Sequence, residues 1–585
     1  MTTSSPLRTT LFSILLLLLV GWGAPHIASA DDPPALPPTT QEDPALVQQY
    51  QQLIQPDVMA SQLYYFASDR FMGRDTGSPH LNMAAEYLAS LYQQYGVAPR
   101  GTKEVEDPRS LKRYFQPVEL FGNQLQQATL RAHVDDENAV EHSYNLNQPD
   151  GAFYPVFGNL PASSGGIVFA GYGIDDEDLG YNDFAALEDE EIDITGQWVI
   201  LLHNEPMDED GQSLLTDDGD LSGWTEQSNQ KLQRIFSAGT PAGILIVGDA
   251  GPRAIDIAKR AQMLAELADP GSLSLREEDH SQNIPPVHMI SSSFANDLLA
   301  PSGQSVEEAR EAIHQDLSPV VFEVPDISLD GTLTFEPVKV DTENVLGFVE
   351  GSDPDLKDEV IVITSHYDHI GISRTASDEN FINNGADDNG SGTIGTVAMA
   401  RAFQQAAEDG YGPRRSIFFM NVTAEERGLL GSAYYTDVSP VFPLEQTVLN
   451  INMDMIGRID PSSPTLPDSN YVYIIGADLI SEDLHETNVH ANEATDINLT
   501  LDYRYNDPGD PQQLFRRSDQ WNFGKHNIPF IFYFTGLHDD YHDVGDEAHK
   551  IEYDRMADIV RLAFATVWDV ANKDERPEVT GEGFN

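Results

Sequence analysis

The sequence predicts an α/β fold, and three stretches between Val360 and Ser432 carry that reading. Val360-Ile-Val-Ile-Thr-Ser-His366-Tyr-Asp368-His369 and Ile417-Phe-Phe-Met-Asn-Val-Thr-Ala-Glu425-Glu426 are β-branched or aromatic runs that end directly in His and acidic residues. Uninterrupted apolar runs of this length read as strands buried on both faces, as in a parallel sheet. Between them, Gly385-Ala-Asp387-Asp388-Asn-Gly-Ser-Gly392 opens a helix expected over residues 393–403. Ligands bind at the carboxyl ends of strands in open α/β sheets. Three clusters of groups that resist burial therefore converge on one sheet edge.

Two further runs complete the set. Val448-Leu-Asn-Ile-Asn-Met-Asp454 is an apolar strand ending in a carboxylate, and Pro529-Phe-Ile-Phe-Tyr-Phe-Thr leads into His538, Tyr541, His542, Asp543 and Asp546. Any one cluster alone reads better as a solvated loop. Together at strand ends they form a carboxylate-rich cluster whose burial needs compensating positive charge. No Lys and only Arg427 lies inside the first three clusters. Metal ions supply that charge most economically. His nitrogens with Asp and Glu oxygens suit zinc, and two ions about 3.5–4 Å apart need a carboxylate to bridge them.

Five motifs now stand in order: His-x-Asp (366–368), Gly-Ala-Asp-Asp (385–388), Glu-Glu (425–426), Asn-Met-Asp (452–454) and Tyr-His (541–542). In these the chain resembles the M28 family of co-catalytic zinc peptidases. Arg517-Ser518-Asp519 with Phe523 and Ile528-Pro529 fits the same pattern, although the family usually has His where Gln520 stands. The resemblance implies a three-layer, mixed-sheet zinc exopeptidase domain holding two Zn²⁺ ions. One ion would take His366 and Asp454, the other Glu426 and His542, with Asp387 as the bridge. Asp368 would accept a hydrogen bond from the other nitrogen of His366 and so fix its tautomer. Glu425 would be the general base, passing a proton from the attacking water to the leaving amine.

Taken in order, residues 1–30 read as a targeting segment: Arg8, an apolar stretch over 11–20 and Ala28-Ser29-Ala30 as a cleavage site. The apolar stretch is too short to span a bilayer comfortably, so export with cleavage near Ala30 is expected. Residues 31–45 are Pro-rich and read as a flexible leader. Residues 46–150 form the first part of the catalytic domain, with apolar residues at helical spacing over 81–95 and a Gly73-Arg74 turn before them. Residues 151–325 shift to short strands, such as Gly166-Ile-Val-Phe-Ala and Gln197-Trp-Val-Ile-Leu-Leu, with a helix candidate over 228–238. This stretch resembles the β-rich protease-associated domain inserted in several M28 peptidases. Residues 326–571 carry the metal-binding part, and 572–585 read as a frayed tail.

Several readings are excluded. His485 and His490 resemble a zincin helix, but five residues apart they lie about 140° round a helix and cannot clamp one ion. His369 is not a ligand in the resemblance and is expected to line the cleft. The acidic loops 175–178 and 217–220 could bind Ca²⁺, but a solvated charge run is the preferred reading, since neither has the spacing of a calcium loop. There is no Gly-x-Ser-x-Gly elbow and no phosphate loop. There is also no Cys, hence no disulfide.

The expected activity is that of an exported dizinc aminopeptidase acting on peptides. A free amine is tolerated beside a net-negative cluster better than a carboxylate, and an inserted domain overhanging the cleft would favour terminal substrates. Three alternatives stay open. A carboxypeptidase or dipeptidase would share the ligands and add a cation for the substrate carboxylate, with Arg427, Arg458, Arg504, Arg516 and Arg517 as candidates. A glutaminyl cyclase-like acyltransferase would use one zinc, and the insertion argues against it. A non-catalytic binding protein would be marked by lost ligands, and none is lost.

The 95 acidic residues against 33 basic ones give a formal charge of −62. Such a surface repels nucleic acid and anionic membranes, so neither is an expected partner. Self-repulsion on this scale destabilises the compact state, and salt screens it. The melting temperature should therefore rise between roughly 10 mM and 1 M salt, as the Debye length shortens from about 30 to 3 Å. A flat or falling curve would mean that the carboxylates are already well spaced or paired.

Overall fold

A computed structural model describes residues 36–134, 139–145, 148–226, 229–267, 269–277, 283–376, 380–461, 470–507 and 509–581. The four expected apolar runs are neighbours. Val360–His366 lies between Ser416–Val422 and Thr447–Met453, and Phe530–Phe534 follows, all parallel. Antiparallel strands flank them: the end of Val321–Val349 beside Ser416–Val422, and Tyr471–Gly476 beside Phe530–Phe534. The sheet is mixed, as expected.

Alternation along these strands divides the molecule into layers. Ile361, Ile363 and Phe419 point into one core, while Val360, Val362, Phe418 and Met420 point into another on the opposite face. Fully burying such side chains contributes about 1.5–3 kcal/mol each, more than the ~1 kcal/mol range of intrinsic strand preference. Double-sided burial is thus what fixes these runs as central strands. The first core is covered by Gly392–Glu408, Tyr553–Asn572 and Pro56–Phe66. The second lies under Tyr435 and Phe523.

The helix expected over 393–403 runs from Gly392 to Glu408. The one expected over 81–95 is Pro79–Gln94, started by Pro79 and by Ser78, whose side chain accepts the Leu81 amide at 3.1 Å. Leu88, Leu91 and Tyr92 are buried as the spacing requires, but Met83 faces solvent. Ala84, Ala85 and Ala89 do the packing instead. Small residues let this helix come close to the sheet, a contribution that apolar spacing of large residues does not reveal.

The chain leaves this domain along Phe115–His133 and returns along Val321–Val349, the two paired antiparallel from His133–Ser328 to Phe115–Val345. Beyond this ribbon, Ala162–Ala170, Trp198–Leu202, Gly243–Val247 and Val287–Ile290 lie parallel. Helices such as Asn229–Ala238 and Ile257–Leu267 intervene. These elements share a core around Trp198 that reaches back to Ala128, forward to Leu333 in both ribbon strands, and on to Ile372 and Ile382, beyond the 151–325 span. Gly243 is required there: a Cβ would sit 2.3 Å from the Trp198 ring.

Two expectations need correction. From Pro38 the leader is docked rather than flexible: Trp568 Nε1 donates to the Pro38 carbonyl at 2.7 Å, and buried Thr40 donates its amide to Asp569 at 2.7 Å. The tail is held too, with the Thr580 amide donating to the Ile480 carbonyl at 2.9 Å. Both segments trade polar groups with elements that close only in the fold. The targeting segment 1–30 lies outside the described residues. Among the described residues, no helix is long and apolar enough to cross a membrane.

Candidate metal centre

Parallel strands point their carboxyl ends the same way, so their terminal residues meet. His366 ends its strand, Asp454 directly follows Met453, and Glu425 and Glu426 come three and four residues after Val422. His542 arrives on the loop after Phe534. The turn preceding the helix Gly392–Glu408 brings the Asp-Asp pair into the middle.

The geometry is centred on Asp388. Its Oδ1 lies 3.2 Å from His366 Nε2, and its Oδ2 lies 3.1 Å from His542 Nε2. His366 Nε2 is also 3.4 Å from Asp454 Oδ1 and 3.8 Å from Glu425 Oε2. His542 Nε2 is 3.1 Å from Glu426 Oε2. One carboxylate thus offers an oxygen to each of two imidazoles, with a further carboxylate beside each.

Asp387, expected as the bridge, is turned away. Its Oδ1 accepts the Gly457 amide at 2.6 Å, and its Oδ2 faces His538 Nε2 at 3.3 Å. The turn itself is held from outside the cluster. Asp546 accepts the amides of Asp387 and Asp388 at 2.9–3.0 Å. Arg74, wholly buried, donates to the carbonyls of Asn384 at 2.6 Å, Gly385 at 2.8 Å and Tyr367 at 2.9 Å. With the backbone so fixed, only one of the two adjacent carboxylates can face the histidines.

Asp368 also differs from expectation. Its carboxylate is 3.8 Å from His366 Nδ1, and the nearer acceptor is its own backbone carbonyl at 3.2 Å. That carbonyl leaves Nε2 as the lone-pair nitrogen facing the cluster. The Asp368 carboxylate accepts instead the amides of Glu425 at 3.1 Å and Glu426 at 3.3 Å, and the Thr76 hydroxyl at 3.1 Å. It positions the Glu-Glu turn.

His369, expected to line the cleft, is buried and absent from the cleft lining, with Nδ1 2.7 Å from Glu426 Oε1. Sequence reasoning missed this contact, together with those of Arg74, His538 and Asp546. The Gly73-Arg74 turn was visible as a turn, but its partners lie about three hundred residues along the chain. Ser518 donates to Asp454 Oδ2 at 2.6 Å, and Asn452 donates to both Ser518 Oγ and Gln520 Oε1. Gln520 thereby supports the Asp454 strand end.

Electrostatics follow from burial and proximity. Burial opposes a charge on His366, yet Asp454 and Glu425 beside it raise its pKa well above the usual value. Burial also raises Asp388, but the imidazoles of His366 and His542 beside its oxygens outweigh it and hold that carboxyl well below the usual range. Burial pushes Glu425 well above its usual range; His366 opposes the shift, while Glu426 and Asp454 add to it.

Several of these atoms fit a metal. His366 Nε2 and Asp454 Oδ1 are buried without a hydrogen-bond partner. Asp388 with His366 and Asp454, and Asp388 with His369 and Glu426, each bring donor atoms within 4.8 Å of one another. Imidazole nitrogen with carboxylate oxygen is a zinc-type donor set. The rejected motifs form no such group among the described residues: His485 packs on Tyr503, and Asp175 pairs with Arg234. A cleft of about 260 Å³ opens beside the cluster, lined by Asp388, Glu425, Glu426 and Asp454 on one side. Met455, Phe532, Phe534 and Tyr541 form apolar wall, with Arg516 and Arg517 alongside.

Residues 344–567 match the model of peptidase family M28. The aminopeptidase YwaD of Bacillus subtilis (strain 168) is 35% identical over 99 residues, 17% of this chain and 18% of that protein. Leucine aminopeptidase 2 of Arthroderma otae is 31% identical over 199 residues, 33% of this chain and 34% of that protein. The chain thus spans about a third or less of the length of these curated relatives. A solved zinc aminopeptidase from Bacillus subtilis is similar with a TM-score of 0.47 at 16% identity, covering 88% of this chain and 95% of that one. The matched span contains His366, Asp388, Glu425, Glu426, Asp454 and His542.

Proposed function

We propose that this chain is an exported dizinc aminopeptidase. The observation that carries the reading is the Asp388 carboxylate set between His366 and His542, with Asp454 and Glu426 beside them. His366 and Asp454 would hold one zinc, Glu426 and His542 the other, and Asp388 both. When bound, zinc supplies Lewis acidity toward a carbonyl oxygen and makes water acidic enough to lose a proton near neutral pH.

The chain's own groups do the rest. Glu425 lines the cleft with no hydrogen bond consuming its carboxylate among the described residues, so it is placed to take the proton of the attacking water. It returns that proton to the leaving nitrogen. Asp368 keeps Glu425 and Glu426 in register through their amides, and His369 orients Glu426. The carboxylates around the cleft favour a free amine at the substrate's end. The stretch 151–325 is read as an inserted protease-associated domain. Export rests on Arg8, the apolar residues 11–20 and Ala28-Ser29-Ala30.

Three outcomes test this function. A free-amine aminoacyl substrate should be cleaved well and its N-acetylated twin poorly; equal cleavage would refute the aminopeptidase reading. Elemental analysis should find about two zinc ions per chain, and Asp388→Ala should lose far more zinc than Asp387→Asn. The reverse order would return the bridging role to Asp387. Glu425→Gln should keep its zinc while kcat falls by about 10²–10⁴, the usual cost of lost acid–base help. A near-normal kcat would place the proton shuttle elsewhere.

A further inference from the structure

The cleft wall holds two cations that the proposed reaction does not use. In a chain with 95 acidic and 33 basic residues, a cation near a carboxylate cluster should find a carboxylate. Several in this part of the chain do, whereas Arg74 beside the cluster bonds to backbone carbonyls. Arg427 pairs with Asp75 at 2.6 Å, Arg458 with Asp540 at 2.7 Å, and Arg504 with Asp502 at 2.6 Å. Lys550 pairs with Asp540 at 2.8 Å and Lys525 with Asp437 at 2.6 Å.

Arg516 and Arg517 are different. Both are exposed and line the cleft, and neither forms an ion pair among the described residues. Arg516 is held by aromatic faces, its guanidinium 5.0 Å from the ring centres of both Phe515 and Trp521. Arg517 Nη2 donates to the Tyr541 hydroxyl at 3.3 Å. Tyr541 in turn stacks on the His542 ring at 3.9 Å, and Ser518, next to Arg517, holds Asp454. Both guanidiniums are thus set on elements that also carry the metal-centre residues, with donor faces left over.

We propose that Arg516 and Arg517 form a subsite for a substrate carboxylate, so that the preferred substrates are short peptides bearing a carboxylate beyond the scissile bond. This rests on the aminopeptidase reading above. A planar guanidinium meets a carboxylate with two parallel charge-assisted hydrogen bonds, and aromatic stacking limits the ordering cost. With the proposed ions offsetting the cleft carboxylates, these two guanidiniums are the cations lining the cleft that carry no ion-pair partner among the described residues. The source of the substrate carboxylate is the free carboxyl terminus of a di- or tripeptide or the side chain of a substrate Asp or Glu.

The test is a ratio measured within one enzyme preparation, so that altered folding or loading cancels. kcat/KM is compared for a tripeptide with a free carboxyl terminus and its carboxyamide, and for peptide amides with Glu or Gln after the scissile bond. The expectation is a preference for one carboxylate-bearing member, falling about tenfold in Arg517→Gln and in Arg516→Gln; that figure is the lower end for hydrogen bonds to charged groups, reduced for exposure. Arg517→Lys should restore part of it. Loss confined to the first pair identifies the carboxyl terminus, and loss confined to the second identifies an acidic side chain. Free-amine amides cleaved as well as their carboxylate counterparts would overturn the proposal alone, as would a preference that survives both Gln variants. If no free-amine peptide is cleaved, the aminopeptidase reading falls, and this proposal with it.

Discussion

The structure is organised around the problem of keeping carboxylates at the buried ends of parallel strands. Asp368, Asp387, Asp388, Glu425, Asp454, Asp519 and Asp546 are all buried in this region. Each would cost several kcal/mol as an isolated charge. The protein resolves them into two groups. Asp368, Asp387 and Asp546 accept backbone amides, and Asp519 accepts the Ser432 hydroxyl at 2.6 Å. Asp388, Glu425, Glu426 and Asp454 turn oxygens toward imidazole nitrogens and one another. The first group is scaffold. The second, gathered around His366 and His542, is the one that calls for cations.

The scaffold also fixes strained backbone. Ala424, Met455 and His542 adopt left-handed conformations with φ of 56°, 53° and 57°, each beside or within the proposed ligand set. Conformations of this kind cost of order 1–3 kcal/mol and persist where surrounding contacts over-determine them. Further contacts nearby come from a distant stretch of chain: Arg427, next to Glu426, bonds to Asp75 and approaches Asp269 at 3.6 Å, while Arg374 pairs with the same Asp269. Arg260 donates to the Ser373 carbonyl at 2.5 Å, on the loop after His369.

Much of this was legible in the sequence because strand ends are a local signal. An apolar run that stops at His366, Asp454 or Glu425-Glu426 announces both its burial and the direction of its last side chains. Adjacent identical residues carry no such signal. Asp387 and Asp388 differ only in which way the turn aims them, and Asp546 and Arg74 set that from about 160 and 310 residues away. The role of Asp368 was illegible for a related reason: it acts on backbone amides, which every residue has. His369 failed differently, since its position beside a ligand strand fits both an exposed cleft residue and a buried one. The docked leader depended on Trp568 and Asp569, nearly the whole chain distant.

Charge then shapes what the cleft can accept. Two divalent ions would offset the four facing carboxylates and leave a near-neutral centre, so orientation of the substrate falls to the groups around it. On the aminopeptidase reading proposed above, Phe532, Phe534 and Met455 would accommodate an uncharged side chain through burial, and the carboxylates would receive the amine. A third point of contact is needed to distinguish one end of a short peptide from the other, and it must be cationic if the far end carries a carboxylate. In a protein so short of bases, leaving two arginines without an anionic partner costs attraction that a nearby Asp or Glu would have supplied. Their retention on the cleft wall is consistent with a partner that arrives with the substrate.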